Sequence, residues 1–75
     1  MNTSYKYVTF EIHNLNQTAD VLKCLYGMNV NCEMVTNFEQ MLIKFKICLD
    51  DCDTVQLNLL KKFLVQEDVY NIHFS

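Results

Sequence analysis

The stretch Met41-Leu42-Ile43-Lys44-Phe45-Lys46-Ile47-Cys48-Leu49 decides how the chain folds. Its alternation puts Met41, Ile43, Phe45, Ile47 and Leu49 on one side and Leu42, Lys44, Lys46 and Cys48 on the other. That is the period-two pattern of a strand with one buried and one partly polar face. So strict a pattern belongs at the centre of a small sheet.

Upstream, Val30, Cys32 and Met34 alternate with Asn31, Glu33 and Val35, which predicts a strand to about Thr36. Asn37-Phe38-Glu39-Gln40 links it to the central strand, and a link this short makes an antiparallel hairpin. Earlier still, Tyr5 to His13 alternate, with Val8, Phe10 and Ile12 on the core side. Between these strands a helix is expected from Thr18 to Tyr26, with Val21, Leu22, Leu25 and Met28 along one face. Asn16 or Thr18 is suited to cap its start. Gly27, the single glycine of the chain, falls where a left-handed C-terminal cap is expected.

Downstream, a helix is predicted from Thr54 to Gln66. Asp53 with Gln56 three residues later forms a capping box, and Asp50, Asp51 and Asp53 suit the positive end of the helix dipole. Val55, Leu57, Leu59, Leu60, Phe63 and Leu64 sweep roughly 200° of the helix, wider than one sheet face covers. That leaves Val55, Leu59 or Phe63 for a second surface. After Glu67-Asp68, the residues Tyr70, Ile72 and Phe74 alternate with Val69, Asn71 and His73 as a last strand.

Strand, helix, strand, strand, helix, strand is the order of the ferredoxin-like βαββαβ plait, an α+β fold. It is a four-stranded antiparallel sheet with two helices on one face. The 75 residues allow one domain, residues 1–75. The opposite face stays open and carries Tyr7, Thr9, Glu11, Asn31, Glu33, Val35, Leu42, Lys44, Lys46, Cys48, Asn71 and His73.

Composition narrows the function classes. The chain is 51% hydrophobic with a net charge of -3, and its six cationic residues are all lysines. Without arginine, the residue best suited to bidentate phosphate and guanine contacts, nucleic acid is disfavoured as a partner. No apolar run is long enough to cross a membrane and no secretory signal opens the chain, so a cytoplasmic setting is expected. Abundant Asn and Lys beside scarce Ala, Gly, Pro and Arg suit an AT-rich genome, as many phages and mobile elements have. The four cysteines allow three disulfide pairings, but Cys-x-x-Cys spacing is absent. They read as reduced, small apolar side chains, and no metal or cofactor is expected.

Known uses of the plait lack their signatures here. The first strand–helix loop, His13 to Gln17, holds neither a Cys-x-x-Cys for metal, nor the arginine of an acylphosphatase, nor the glycine of small-molecule regulatory modules. His13 or His73 could pair with Cys48 or Cys52 as base and nucleophile, but no oxyanion-forming glycine turn accompanies them. The expectation is therefore a non-enzymatic protein-binding module, an inhibitor or regulatory factor contacting a protein target or a second copy of itself. Its candidate contact residues are Tyr7, Glu11, Glu33, Phe38, Lys44, Lys46, Asp50, Asp51 and Phe63. The alternative is single-stranded RNA or DNA on the open face, as in RNA-recognition modules, with Tyr7 as stacking ring and Lys44 and Lys46 as phosphate contacts.

Overall fold

The computed structural model describes residues 5–75, in which four strands and two helices follow the expected order. β1 is Tyr7–Ile12, α1 Thr18–Gly27, β2 Glu33–Asn37, β3 Leu42–Cys48, α2 Thr54–Gln66 and β4 Tyr70–Phe74. The sheet order is β2-β3-β1-β4 and every pairing is antiparallel, the ferredoxin-like arrangement. Val8, Phe10 and Ile12 stand opposite Ile47, Phe45 and Ile43, so the two central strands present one continuous apolar face. Val21 and Leu25 of α1 and Leu60, Phe63 and Leu64 of α2 close over that face. Phe10 stacks on Phe45 at 5.1 Å and meets Phe63 at 5.7 Å, tilted, which puts three aromatic rings at the middle of the core.

Local chemistry accounts for the helix ends, with two departures from expectation. α2 starts as predicted: the Asp53 carboxylate accepts from the Gln56 amide, and the Gln56 side chain accepts from the Asp53 amide, each at 2.8 Å. The Gln56 side-chain amide also donates to Met28 O and Asn29 O, tying the start of α2 to the end of α1. Neither Asn16 nor Thr18 caps α1. The helix instead grows from a 3-10 turn at Leu15–Gln17, whose first free amide, that of Asn16, is taken by the Asn14 side chain.

At the other end Gly27 is the last helical residue and its φ is not positive. The left-handed position belongs to Asn29, at φ 59°. Asn29 N–H donates to Tyr26 O and Val30 N–H to Leu25 O, a Schellman closure in which buried Val30 follows buried Leu25. Asn tolerates this conformation because its short polar side chain does, so glycine is not required.

Two residues expected to continue the central strand lie outside it. Met41 adopts φ 55° and ends the hairpin loop, exposed, and Leu49 begins a 3-10 turn through Asp51. The Asn37 side chain accepts from the Gln40 amide and shapes the loop.

Candidate binding surface

With both helices on one face, the other face of the sheet has no covering layer among the described residues. The register places Tyr7, Thr9 and Glu11 of β1 opposite Cys48, Lys46 and Lys44 of β3. Lys46 and Lys44 in turn face Glu33 and Val35 of β2. Tyr7, Glu11, Glu33, Lys44 and Lys46, five of the nine candidate residues, therefore share this surface. The ammonium of Lys46 lies 4.3 Å from the centroid of the Tyr7 ring, so one face of that ring already has a partner.

The remaining candidates scatter. Phe38 sits at the hairpin tip, 75% exposed. Asp50 and Asp51 lie on the 3-10 turn, Asp51 beside a small pocket of about 150 Å³ next to Tyr7 and Lys46, Asp50 at the rim of an apolar groove. Phe63 is not a surface residue: it is 5% exposed and packs on Phe10, so its expected role in a contact is corrected to one in the core. The sheet takes up the part of the α2 stripe around Leu60, Phe63 and Leu64 and leaves Val55 and Leu59 exposed.

The last strand departs most from its pattern. β4 pairs Phe74 with Val8 and His73 with Thr9, but then Tyr70, rather than Asn71, with Glu11. One extra residue on β4 makes a bulge there, and Asn71 takes it up at φ 53°. Tyr70, expected on the helix side, consequently stands across from Glu11 on the open face. Its ring stacks on His13 at 4.3 Å between centroids and 12° between planes.

Glu11 is the hub of this end of the sheet. Its Oε1 accepts from Asn71 Nδ2 at 2.8 Å and lies 3.2 Å from His13 Nε2. Those two hydrogen bonds, helped by the charge of Lys44, hold the carboxyl below its usual range. The Tyr70 hydroxyl is pushed the other way, chiefly because ionising it would place a second negative charge beside Asp68. Of this cluster only Glu11 and its neighbour Lys44 were among the expected contact residues. The available hint was Asn at position 71, a residue type that accepts a left-handed backbone.

The histidine–cysteine pairing does not form at His13, which lies at the opposite end of β1 from Cys48, the partner of Tyr7. Cys32 and Cys52 pack against the core. Burial pushes both thiols up, and Asp51, Cys48 and Asp53 add to the shift at Cys52, so they stay protonated at neutral pH. Among the described residues no group of three His, Cys, Asp or Glu side chains could hold a metal ion, and no helix is long and apolar enough to cross a membrane.

No protein-family model matches the chain, and no curated protein matches it in sequence. Its fold is similar to that of the PlyG cell wall binding domain, known from a solution structure. The TM-score is 0.76 at 15% sequence identity, over 100% of this chain and 84% of that one.

Proposed function

We propose that the chain is a non-catalytic binding module that takes a polymer of the cell envelope on its open sheet face. The observation that carries this reading is the exposed face itself. It is a surface of aromatic rings, lysines, carboxylates and amides set at fixed register, the mixed chemistry that suits a hydroxyl-rich polymer. The likeness to a domain named for binding cell wall supports the choice of ligand, and the acid-poor chemistry of a nucleic-acid groove is missing: Glu11 and Glu33 would face the phosphates. Such a ligand puts the working site at the envelope rather than in the cytoplasm.

Co-sedimentation of the full chain with a panel of purified bacterial cell walls tests this reading. The protein should pellet with at least one wall and stay in solution without it. Failure to pellet with any would overturn the proposal.

A second reading keeps the protein-contacting factor expected from the sequence. It is favoured by a groove of about 410 Å³ between α2 and the sheet, walled by Leu57, Leu60 and Leu64 with Leu49, Tyr5 and Phe74. A groove this apolar suits the aromatic or aliphatic anchor of a protein partner. Leu57→Glu separates the two readings, since it should leave wall binding unchanged if the open face is the site.

A further inference from the structure

Within the proposed wall-binding function, we infer that Glu11, His13, Tyr70 and Asn71 form a saccharide-reading subsite that engages a neutral, hydroxyl-rich sugar. The proposal rests on three linked features of this end of the sheet.

The first is the bulge. A regular β4 would face Asn71 to Glu11 and turn Tyr70 toward the helices. The observed register instead adds a residue, holds Asn71 at φ 53° without a glycine, and brings Tyr70 to the open face. Left-handed backbone at a non-glycine residue costs free energy, and bulges commonly re-aim side chains beside binding sites. Here its product is the Tyr70–His13 stack and the Asn71–Glu11 hydrogen bond.

The second is the carboxylate. Glu11 is only 14% exposed at its side chain, and both donors converge on one oxygen, Oε1. Among the described residues no donor reaches Oε2. An ionised carboxylate accepts hydrogen bonds and donates none, so Oε2 is a fixed acceptor for a donor from outside.

The third is the aromatic pair. Tyr70 is 42% exposed and stacked nearly flat on His13, which makes a rigid apolar plate beside that acceptor. A pyranose has the matching halves: a C–H face to lie on a ring and hydroxyls at its edge to donate to Glu11. An ammonium ligand would also fit a ring and a carboxylate, but Lys44 stands directly across from Glu11 and already supplies the positive charge. Anionic ligands would meet Glu11 and Asp68. The uncharged hydroxyl donor is the class that remains.

The test is amide chemical-shift mapping on the ¹⁵N-labelled full chain. The probes are polysaccharide released from a wall that pellets the protein, oligomers of N-acetylglucosamine and of galactose, choline chloride, and a single-stranded oligothymidine. A saccharide should shift the amides of Glu11 to His13 and of Tyr70 and Asn71, with choline and the oligonucleotide silent there. Tyr70→Ala and Glu11→Gln should each weaken wall binding about ten-fold or more, on the scale of one lost stacking or charged hydrogen-bond contact. Tyr70→Phe, which keeps the ring, should bind within a few-fold of the parent, and Val65→Ser on the far side of α2 should match it. Circular dichroism of each variant separates lost binding from lost fold. Wall binding that survives both Tyr70→Ala and Glu11→Gln, shifts mapping to another surface, or a response to choline or oligonucleotide instead of sugar would overturn this subsite while leaving the wall-binding reading in place. Absence of wall binding by the parent chain, together with no saccharide shift, would overturn both.

Discussion

Substitution of Gly27 gives a sharp test of how the chain leaves α1. Glycine in a helix interior costs about 0.8–1.0 kcal/mol relative to alanine, and somewhat less at the last helical residue, so Gly27→Ala should stabilise by about 0.5–1 kcal/mol. Nothing among the described residues offsets the gain: beyond its chain neighbours and its own helix backbone, a Cβ at position 27 meets no atom within 4 Å, and the backbone there is not left-handed. In a chain of 75 residues, with total stability on the order of 4–11 kcal/mol, this raises the melting midpoint by roughly 2–8 °C. The companion change, Asn29→Ala, keeps a Cβ at φ 59° but removes the short polar side chain that makes this conformation tolerable and should destabilise by about 1 kcal/mol, whereas Asn29→Gly should be neutral or mildly stabilising. Guanidinium and thermal unfolding followed by far-UV circular dichroism would read all three, with an unchanged denaturant slope confirming the same two states. If Gly27→Ala loses 1 kcal/mol or more while Asn29→Ala loses nothing, the left-handed residue is Gly27 and the account of this helix end is wrong.

Other expectations follow from the same contacts. Glu11 has its carboxyl lowered from an ordinary value near 4.5, first by the Asn71 hydrogen bond and then by that of His13. Its contribution is thus fully present above that value and is lost as pH falls through the lower folded one. Asn71→Ala should flatten the loss of stability below about pH 4.5, measured as unfolding midpoint against pH, and an unaltered acid limb would contradict the assignment. Asp53→Ala should cost about 1 kcal/mol and speed hydrogen exchange in the first turn of α2, because it removes the cap on the Gln56 amide. Phe63→Ala should cost about 3–5 kcal/mol, whereas Val55→Ala on the exposed side of α2 should cost under about 0.5 kcal/mol. Equal small losses for both would return Phe63 to the surface.

Sequence reached the architecture because the central strands carry redundant signals. Val8, Phe10 and Ile12 repeat the alternation of Ile43, Phe45 and Ile47, and both sets must face the same helices, so a one-residue slip would expose all six. The start of α2 was equally legible, since Asp53 and Gln56 satisfy each other three residues apart and need nothing distant. Phe63 was not, because a 200° apolar stripe fits the sheet in more than one rotation and only packing on Phe10 selects among them. Gly27 misled for a related reason. Glycine is the commonest left-handed residue, but the register of Val30 over Leu25 moved that position two residues on, to Asn29.

Tyr70 escaped the sequence reading for a reason that also explains where the subsite lies. In β1 and β3 the helix-facing residues are buried, so an inserted residue would turn three apolar side chains to solvent at about 1.5–3 kcal/mol each. β4 is exposed along its whole length, with Tyr70, Ile72 and Phe74 all partly in solvent, so the same insertion there gives up little burial. The outer strands, β4 and the equally exposed β2, are thus where register can shift without opening the core, and of the two it is β4 that pairs directly with the strand that carries Glu11. A pattern of alternating apolar residues on an edge strand therefore specifies its face weakly. At this edge the chain departs from strict alternation, and the departure brings an aromatic ring and an amide to one carboxylate.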